Sequence, residues 1–267
     1  MMQLAVELAE LLHLDLLGLF LEDSGLIDLA SMPFSREFKP LGGGWQMIDP
    51  DRMLHDFELA ARGTERKFLS AAKRLPSGCQ FKVARGSITQ TFASVSRSDD
   101  IVMIAEPRSP AERVTQQFAG MIEGAFRSAA AVMLVPPHIA RTKGPVVAIT
   151  ASSGDPSILA AAAIAFAAKE ELIIIENDGH DAEDPRISKL AAETGLVIRR
   201  MAAPRVRLAD PAACAQAFHQ ITERLIVMTR GVLAEGMASA ISAARRVPVL
   251  VIEPLDEPDE SMPPPGR

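Results

Sequence analysis

Short apolar runs alternate with helical stretches along most of the chain. In the second half the pattern predicts strands at residues 145–150, 171–176, 196–201, 224–229 and 247–253, and helices at residues 157–168, 183–194, 211–219 and 234–244. The strands are continuous apolar runs such as Leu172-Ile173-Ile174-Ile175, so helices should cover both of their faces. Five such strands with helical crossovers predict an α/β fold with a parallel, doubly wound sheet.

The first half follows the same order with one element missing. Strands are predicted at residues 14–22, 80–84, 101–105 and 132–135, and helices at residues 3–12, 52–75, 87–96 and 111–129. A loop-rich insertion through Gly42-Gly43-Gly44-Trp45 to Asp49 precedes the long helix. No strand precedes the first helix, so this half lacks the counterpart of the strand at 145–150.

The two halves also repeat in sequence. The run from Asp100 to Ala105, a helical stretch and the run from Ala131 to Pro136 return as residues 224–229, a shorter helical stretch and residues 248–252. A repeat this long indicates two tandem domains. We place them at residues 1–137, N-terminally incomplete, and 145–254, joined by a Pro-bounded polar junction. Residues 255–267 carry acids and a Pro-Pro-Pro-Gly run and are expected to be a disordered tail.

Composition narrows the classes of partner. The chain has 267 residues and a formal net charge of -6. This charge argues against binding of nucleic acid or an anionic membrane through a broad basic surface. No apolar run approaches the roughly 20 residues of a membrane span, and the first residues lack a basic flank. We therefore expect a bacterial-type cytoplasmic protein. Cys79 and Cys214 stand alone, without the spacing of a disulfide framework or a zinc site.

Several segments resemble the tandem universal stress proteins, which have two copies of the adenine-nucleotide alpha-hydrolase-like fold. In the first half these are residues 17–23, similar to a second strand ending in an acid, and residues 26–37; in the second half they are residues 225–231 and 248–252. The resemblance implies a 3-2-1-4-5 strand order in each copy. In nucleotide-binding members it implies an ATP site where the first and fourth strands end, which is also the switch point of an open parallel sheet.

The sequence departs from the ATP-binding pattern of that family in both copies. Binding members have an aspartate after strand one and a glycine-rich run after strand four, whose N–H groups bind phosphates. After the fourth strand of the first copy stand Glu106, Pro107 and Pro110; proline removes a donor and glutamate repels phosphate. In the second copy Thr150 replaces the aspartate, and residues 230–236 have glycines at another spacing. We expect no cofactor, with ATP or AMP as the alternative.

If a degenerate nucleotide pocket remains, we expect it where the first and fourth strands of the second copy end. The candidate residues are Thr150, Ser152, Ser153, Thr229, Arg230 and Gly231. The segment 152–156 suits an anion or, more simply, the N-cap of the next helix. The loop at residues 176–184 offers oxygen ligands and His180, but its spacing differs from a calcium loop and we expect a solvated turn. We expect no metal and no catalytic residue, because the histidines have no nucleophile placed beside them.

The resulting hypothesis is a binding or regulatory module in stress response. The alternatives are an ATP- or AMP-binding member with an atypical site and an adenine-nucleotide hydrolase-type enzyme, which would need a loop such as Ser152-Ser153-Gly154. The partner, ligand and inducing stress cannot be read from the sequence, and a homodimer is left open. Trp45 is a lid, a partner anchor or a locally packed loop residue.

Two expectations concern the sheet edges. The apolar strands at residues 132–135 and 249–252 would otherwise leave open edges, so we expect them to pack against each other and join the two copies as an internal pseudo-dimer. The missing first strand would leave the strands at residues 14–21 and 101–105 beside a gap. We expect that the native chain starts upstream of Met1; the alternative is that these two strands pair directly.

Overall fold

The computed structural model describes the chain except residues 40–43, 76–77, 114, 153, 177–184, 203–212, 214–215, 217 and 255–267. The helices of the described residues are α1 (Met2–Leu12), α2 (Ser24–Ala30), α3 (Pro50–Ala72), α4 (Ile88–Val95), α5 (Pro110–Arg113), α6 (Gln116–Phe126), α7 (Pro156–Ala168), α8 (Pro185–Thr194) and α9 (Met237–Arg245). The strands are β1 (Leu16–Asp23), β2 (Arg36–Lys39), β3 (Gly44–Met47), β4 (Cys79–Gly86), β5 (Ile101–Ala105), β6 (Ala131–Val135), β7 (Val146–Thr150), β8 (Leu172–Glu176), β9 (Ile198–Ala202), β10 (Leu225–Thr229) and β11 (Val249–Ile252).

A seven-stranded, mostly parallel sheet joins β7 to β11 of the second half of the chain to β5 and β6 of the first half. Its order is β5-β6-β11-β10-β7-β8-β9, and every neighbouring pair is parallel except β6 and β11, which are antiparallel. In that exceptional pair Val132 lies opposite Val251, and Leu134 opposite Val249. The two apolar segments expected to cover each other's edges therefore do pair, and neither leaves an open edge.

The chain divides into two compact units. The first consists of Met1–Ser98 and Pro110–Ser128, and the second of Asp99–Ser109 and Ala129–Arg267. The seven-stranded sheet belongs to the second unit, together with α7, α8 and α9. The first unit holds two two-stranded sheets, a parallel one of β1 and β4 and an antiparallel one of β2 and β3.

The inner strands of the large sheet are buried as their apolar sequences predict, whereas in the edge strand β5 only Ile104 is buried. Every residue of β6, β7 and β10 is buried, and the largest buried side chains include Ile173, Ile174 and Ile226. Helix α7 begins after Asp155, whose side chain caps it, with proline at its first turn. Among the described residues, no helix is both long and apolar enough to cross a membrane.

A buried ion-pair cluster lies at the amino end of β10. The side chain of Glu223 is fully buried, and Arg245 donates to both of its carboxylate oxygens, Nε at 2.7 Å and Nη2 at 2.8 Å. Arg245 Nη2 also donates to the carbonyl oxygens of Phe218 and Ile221. From the junction, Arg141 donates to the Glu223 carbonyl and carboxylate. These contacts hold the junction and the end of α9 against the start of β10.

The structure differs from the predicted elements in four places. The predicted loop before the long helix contains α2 and the β2–β3 hairpin, and Gly44 and Trp45 belong to a strand. The helix predicted at 111–129 is two helices, α5 and α6. Helix α9 begins three residues later than predicted, because Gly236 before it has a φ of 79°. Strand β1 pairs with β4 and β5 with β6, so the alternative of direct pairing between β1 and β5 is wrong for the described residues. Most of the helix predicted at 211–219, and the predicted tail, lie outside those residues.

Candidate ligand-binding site

Strands β7 and β10 are neighbours and end at the same edge of the sheet. Met228 is paired with Ile149, so Thr229 and Thr150 stand at the two carboxyl ends; both side chains are buried. From β7 the chain continues to β8 on one side, whereas β10 lies on the other. This is the topological switch point of the sheet, the position at which open α/β folds bind ligands.

The carboxylate of Asp155 links this edge to the N-terminus of α7. Its Oδ1 accepts from the Ser157 N–H at 2.9 Å and from the hydroxyl of Thr229, and its Oδ2 accepts from the Ala151 N–H at 3.3 Å. Asp155 is only 7% exposed. A helix N-terminus favours a negative charge because its first N–H groups are unpaired. Here a side chain of the protein supplies that charge.

The loop after β7 is further closed by Thr150. Its hydroxyl donates to the carbonyl oxygen of Ser152, and the Ser152 N–H donates back to Thr150 Oγ1 at 3.0 Å. The hydroxyl of Ser157 donates to the Ile149 carbonyl at 3.5 Å. The Thr150 hydroxyl and the Ser152 N–H therefore serve the loop's own conformation.

Arg230 and Gly231 form a tight turn directly after β10. The Val232 N–H donates to the Thr229 carbonyl at 3.2 Å, and Gly231, between them, has a φ of 88°. Glycine is favoured there because a side chain is strained at positive φ. The Arg230 N–H donates to Ile252, and its guanidinium donates to Glu253 at 3.3 Å. The glycine thus serves the turn, and the guanidinium contacts the residue that follows β11.

Strand β5 of the first half corresponds to β10 of the second half, and the residue that follows β5 is a buried carboxylate. Glu106, directly after β5, is 4% exposed. Its oxygens accept from the hydroxyls of Ser239 at 2.5 Å and Ser242 at 2.8 Å on α9, and its N–H donates to the Val135 carbonyl at 2.8 Å. The sequence alone indicated Glu106 only as a group that repels phosphate. In the structure it fastens the end of β5 to a helix of the second half.

The structure brings some candidate residues together and leaves others apart. Thr150 and Ser152 share one loop, and Thr229 is linked to that loop through Asp155. The described contacts of the Arg230 guanidinium are instead with Glu253. Ser153 lies outside the described residues. Asp155 was recognised only as a helix cap, since its bond to Thr229 joins residues 74 positions apart. Glu106, Ser239 and Ser242 were missed as a group for the same reason.

The described residues contain no group of three or more His, Cys, Asp or Glu side chains that could hold a metal ion. The loop with His180 lies outside the described residues, so the expectation of a solvated turn there stays a prediction. Cys79 is a free, half-buried cysteine, and Cys214 is not among the residues described.

Comparison with solved structures identifies the fold. A universal stress protein from Archaeoglobus fulgidus has a TM-score of 0.61 at 16% identity, over 91% of this chain and 86% of that one. A putative universal stress protein from Pseudomonas aeruginosa has a TM-score of 0.45 at 16% identity, over 95% of both chains. No protein family model matches the sequence, and no curated protein matches it. At this identity the first likeness shows that the fold is the universal stress protein fold.

Proposed function

We propose that this protein is a universal stress protein-like binding or regulatory module that acts in stress response without the usual ATP site of that family. The likeness to the Archaeoglobus structure supports the fold part of the proposal. The observation that carries the rest is the carboxylate of Asp155, which accepts three hydrogen bonds at the switch point of the large sheet. A cytoplasmic location and two tandem domains complete the proposal.

Asp155 argues against a bound phosphate on grounds of charge. An anion at a helix N-terminus is stabilised by free N–H groups and by the helix dipole. The Ser157 N–H is already bonded to Asp155, and a phosphate brought to the same place would meet a second negative charge. At about 4 Å two like charges repel by roughly 4 kcal/mol at the effective dielectric constant of a protein surface. The internal carboxylate therefore competes with a phosphate group directly.

The segments after the fourth strands support the same proposal. In the first half Glu106 is committed to Ser239 and Ser242, and Pro107 and Pro110 lack N–H donors. In the second half Gly231 and Gly236 occupy turn positions with positive φ. A phosphate-binding loop needs several free N–H groups directed at one point. If an anion binds at all, we expect it near Thr150, Ser152, Ser153, Thr229, Arg230 and Gly231.

Thermal shift with Mg-ATP, AMP and inorganic phosphate tests the proposal, because a ligand that binds only the folded state raises Tm. We expect no shift for the native chain and no nucleotide in protein purified without denaturation. Stoichiometric ATP, or a saturable rise in Tm, would overturn it in favour of an ATP- or AMP-binding member, and Arg230→Ala should then weaken binding.

A matched pair of variants tests the role of Asp155. Asp155→Ser keeps a good N-cap and removes the charge, so phosphate should raise the Tm of this variant more than that of the native chain. Asp49 also caps a helix before a proline, accepting from the N–H groups of Asp51 and Arg52 at an exposed site. Asp49→Ser is therefore the control and should show no added response to phosphate. If phosphate raised the Tm of both variants equally, the charge of Asp155 would not be the reason why phosphate is excluded.

A further inference from the structure

Strand β1 has one paired edge and one free edge among the described residues. Its neighbour β4 runs parallel to it, and the Leu16 N–H donates to the Gly78 carbonyl on the β4 side at 3.3 Å. Because successive residues of a strand direct their backbone groups to opposite edges, the N–H and C=O groups of Leu17, Leu19 and Leu21 point away from β4. No described strand pairs with them. These groups form the free edge of β1.

The free edge of β1 lacks the features that usually protect an edge from pairing. Residues 16–21 read Leu-Leu-Gly-Leu-Phe-Leu, without a charge or a proline, whereas β4 contains Gln80, Lys82 and Arg85. Charged side chains and proline discourage pairing at an edge. Helices α1, α3 and α4 all contact β1, yet Leu17 remains 39% exposed. The free edge of β1 is therefore suited to accept a further strand, and the outer edge of β4 is not.

The second half of the chain shows which kind of strand belongs at such an edge. There β8 and β9 are parallel with α8 between them in the chain, as β1 and β4 are parallel with α3 between them. On its other side β8 pairs in parallel with β7, which reads Val-Val-Ala-Ile-Thr and is entirely buried. Strand β9 ends the sheet and carries Arg199 and Arg200, as β4 carries charges. By this correspondence the free edge of β1 matches the edge of β8 that β7 occupies.

We propose that the free edge of β1 is a docking site for one extended strand of a partner polypeptide, which runs parallel to β1 and has small and β-branched apolar side chains like those of β7. Main-chain hydrogen bonds give an added strand its affinity, and its side chains give specificity. A charged side chain turned toward the helices that contact β1 lacks a partner and is disfavoured. The partner is thus recognised by an apolar run of about five residues, the length of β7. The site uses no residue of the switch point, so its test is independent of the nucleotide tests.

A peptide with the sequence of β7 is the probe. Residues 143–152, Lys-Gly-Pro-Val-Val-Ala-Ile-Thr-Ala-Ser, contain that strand and a lysine for solubility. We expect the full chain to bind this peptide saturably, as fluorescence anisotropy of a labelled sample measures. The control peptide carries Val147→Pro and Ala148→Pro, which remove a donor from each edge of the strand, and it should not bind. Equal binding of the two peptides, or no saturable binding of the first, would overturn the proposal.

Two proline substitutions in the protein locate the edge that binds. Leu17→Pro removes an N–H from the free edge of β1 and leaves the pairing with β4 in place, so it should weaken peptide binding at least about 10-fold. Val83→Pro does the same at the outer edge of β4, because Val83 alternates with the residues that face β1, and should leave binding unchanged. Circular dichroism checks that both variants stay folded. The same loss in both variants would show that the free edge of β1 is not the site.

Hydrogen exchange followed by NMR examines the native chain without a substitution. Bound peptide should slow the exchange of the Leu17, Leu19 and Leu21 N–H groups and leave that of Val83 unchanged. Protection confined to the large sheet would refute the assignment of the edge. Sedimentation velocity adds a further outcome: a dimer of the native chain that Leu17→Pro dissociates would assign the edge to a second copy and overturn the proposal of a partner strand.

Discussion

Strand β8 of the seven-stranded sheet and strand β1 of the β1–β4 sheet have similarly apolar sequences but differ in burial. In β8, four of five residues are buried, whereas in β1, which reads Leu-Leu-Gly-Leu-Phe-Leu-Glu-Asp, only Glu22 is buried. None of the eight residues of β4 is buried. Strand β8 has a hydrogen-bonded neighbour on each side, and β1 has only β4 among the described residues. The burial of a strand therefore depends on its neighbours as well as on its own side chains.

Two ion pairs, one chosen from each unit, also differ in burial. In the second unit Glu223 is fully buried and paired with Arg245 and Arg141. In the first unit the pair of Glu58 and Arg62 on α3 is exposed, with side-chain exposures of 59% and 73%. A buried pair that loses one member leaves an uncompensated charge in a medium of low polarity. An exposed pair loses little, because water replaces the partner.

The largest expected effect comes from breaking the buried cluster. We expect Glu223→Gln to lower the free energy of unfolding by about 3–5 kcal/mol, because the buried ion pair of Glu223 with Arg245 loses one of its charges. Glu58→Gln removes the same charge from an exposed helix pair and should cost about 0.5 kcal/mol or less. Urea denaturation of both variants measures the difference. Similar unfolding midpoints for the two variants would show that water reaches Glu223 and that the second unit is loosely packed around it.

A matched pair of apolar truncations tests the sheets themselves. Ile174 of β8 is 0% exposed and Val83 of β4 is 52% exposed. We expect Ile174→Ala to cost about 2–5 kcal/mol through lost burial and the cavity left behind, and Val83→Ala about 1 kcal/mol or less. The measurement is again the free energy of unfolding in urea. A cost for Val83→Ala as large as that for Ile174→Ala would contradict the exposed character of the smaller sheet.

Much of the large sheet could be predicted from the sequence, because its signals are local. The strand predicted at residues 171–176 is β8, Leu172–Glu176, and that predicted at 224–229 is β10, Leu225–Thr229. Continuous apolar runs indicate strands covered on both faces. The pairing of β6 with β11 was also expected, since both segments are apolar and would otherwise lie at edges.

The rest depends on contacts between residues far apart in the chain. The bond of Thr229 to Asp155 and those of Glu106 to Ser239 and Ser242 join distant segments, and no local pattern marks them. The hairpin was predicted as a loop because Gly42-Gly43-Gly44 is typical of a turn. Because these glycines indicated a turn, the strands on either side of it were not predicted, and neither was the exposure of Phe38 and Trp45.

The smallest expected effect concerns Gly18, a closely packed position of β1. A Cβ added at Gly18 would lie 2.7 Å from Phe81 Cδ2 and 3.1 Å from two ring carbons of Phe68, and Phe68 is buried. We expect Gly18→Ala to destabilise the protein by about 1–3 kcal/mol, the usual cost of overpacking.

Gly63→Ala, in the middle of α3, is the control for Gly18→Ala. Nothing lies within 4 Å of its added Cβ, so it should stabilise the helix by about 0.5–1 kcal/mol. Opposite signs for the two substitutions, measured by thermal and urea denaturation, would show that the first unit has a packed contact between β1, β4 and α3 beneath its exposed strands. If Gly18→Ala were neutral, the rings of Phe68 and Phe81 would have room to move aside. The β1–β4 sheet would then differ from the large sheet in the packing beneath its strands as well as in the exposure of those strands.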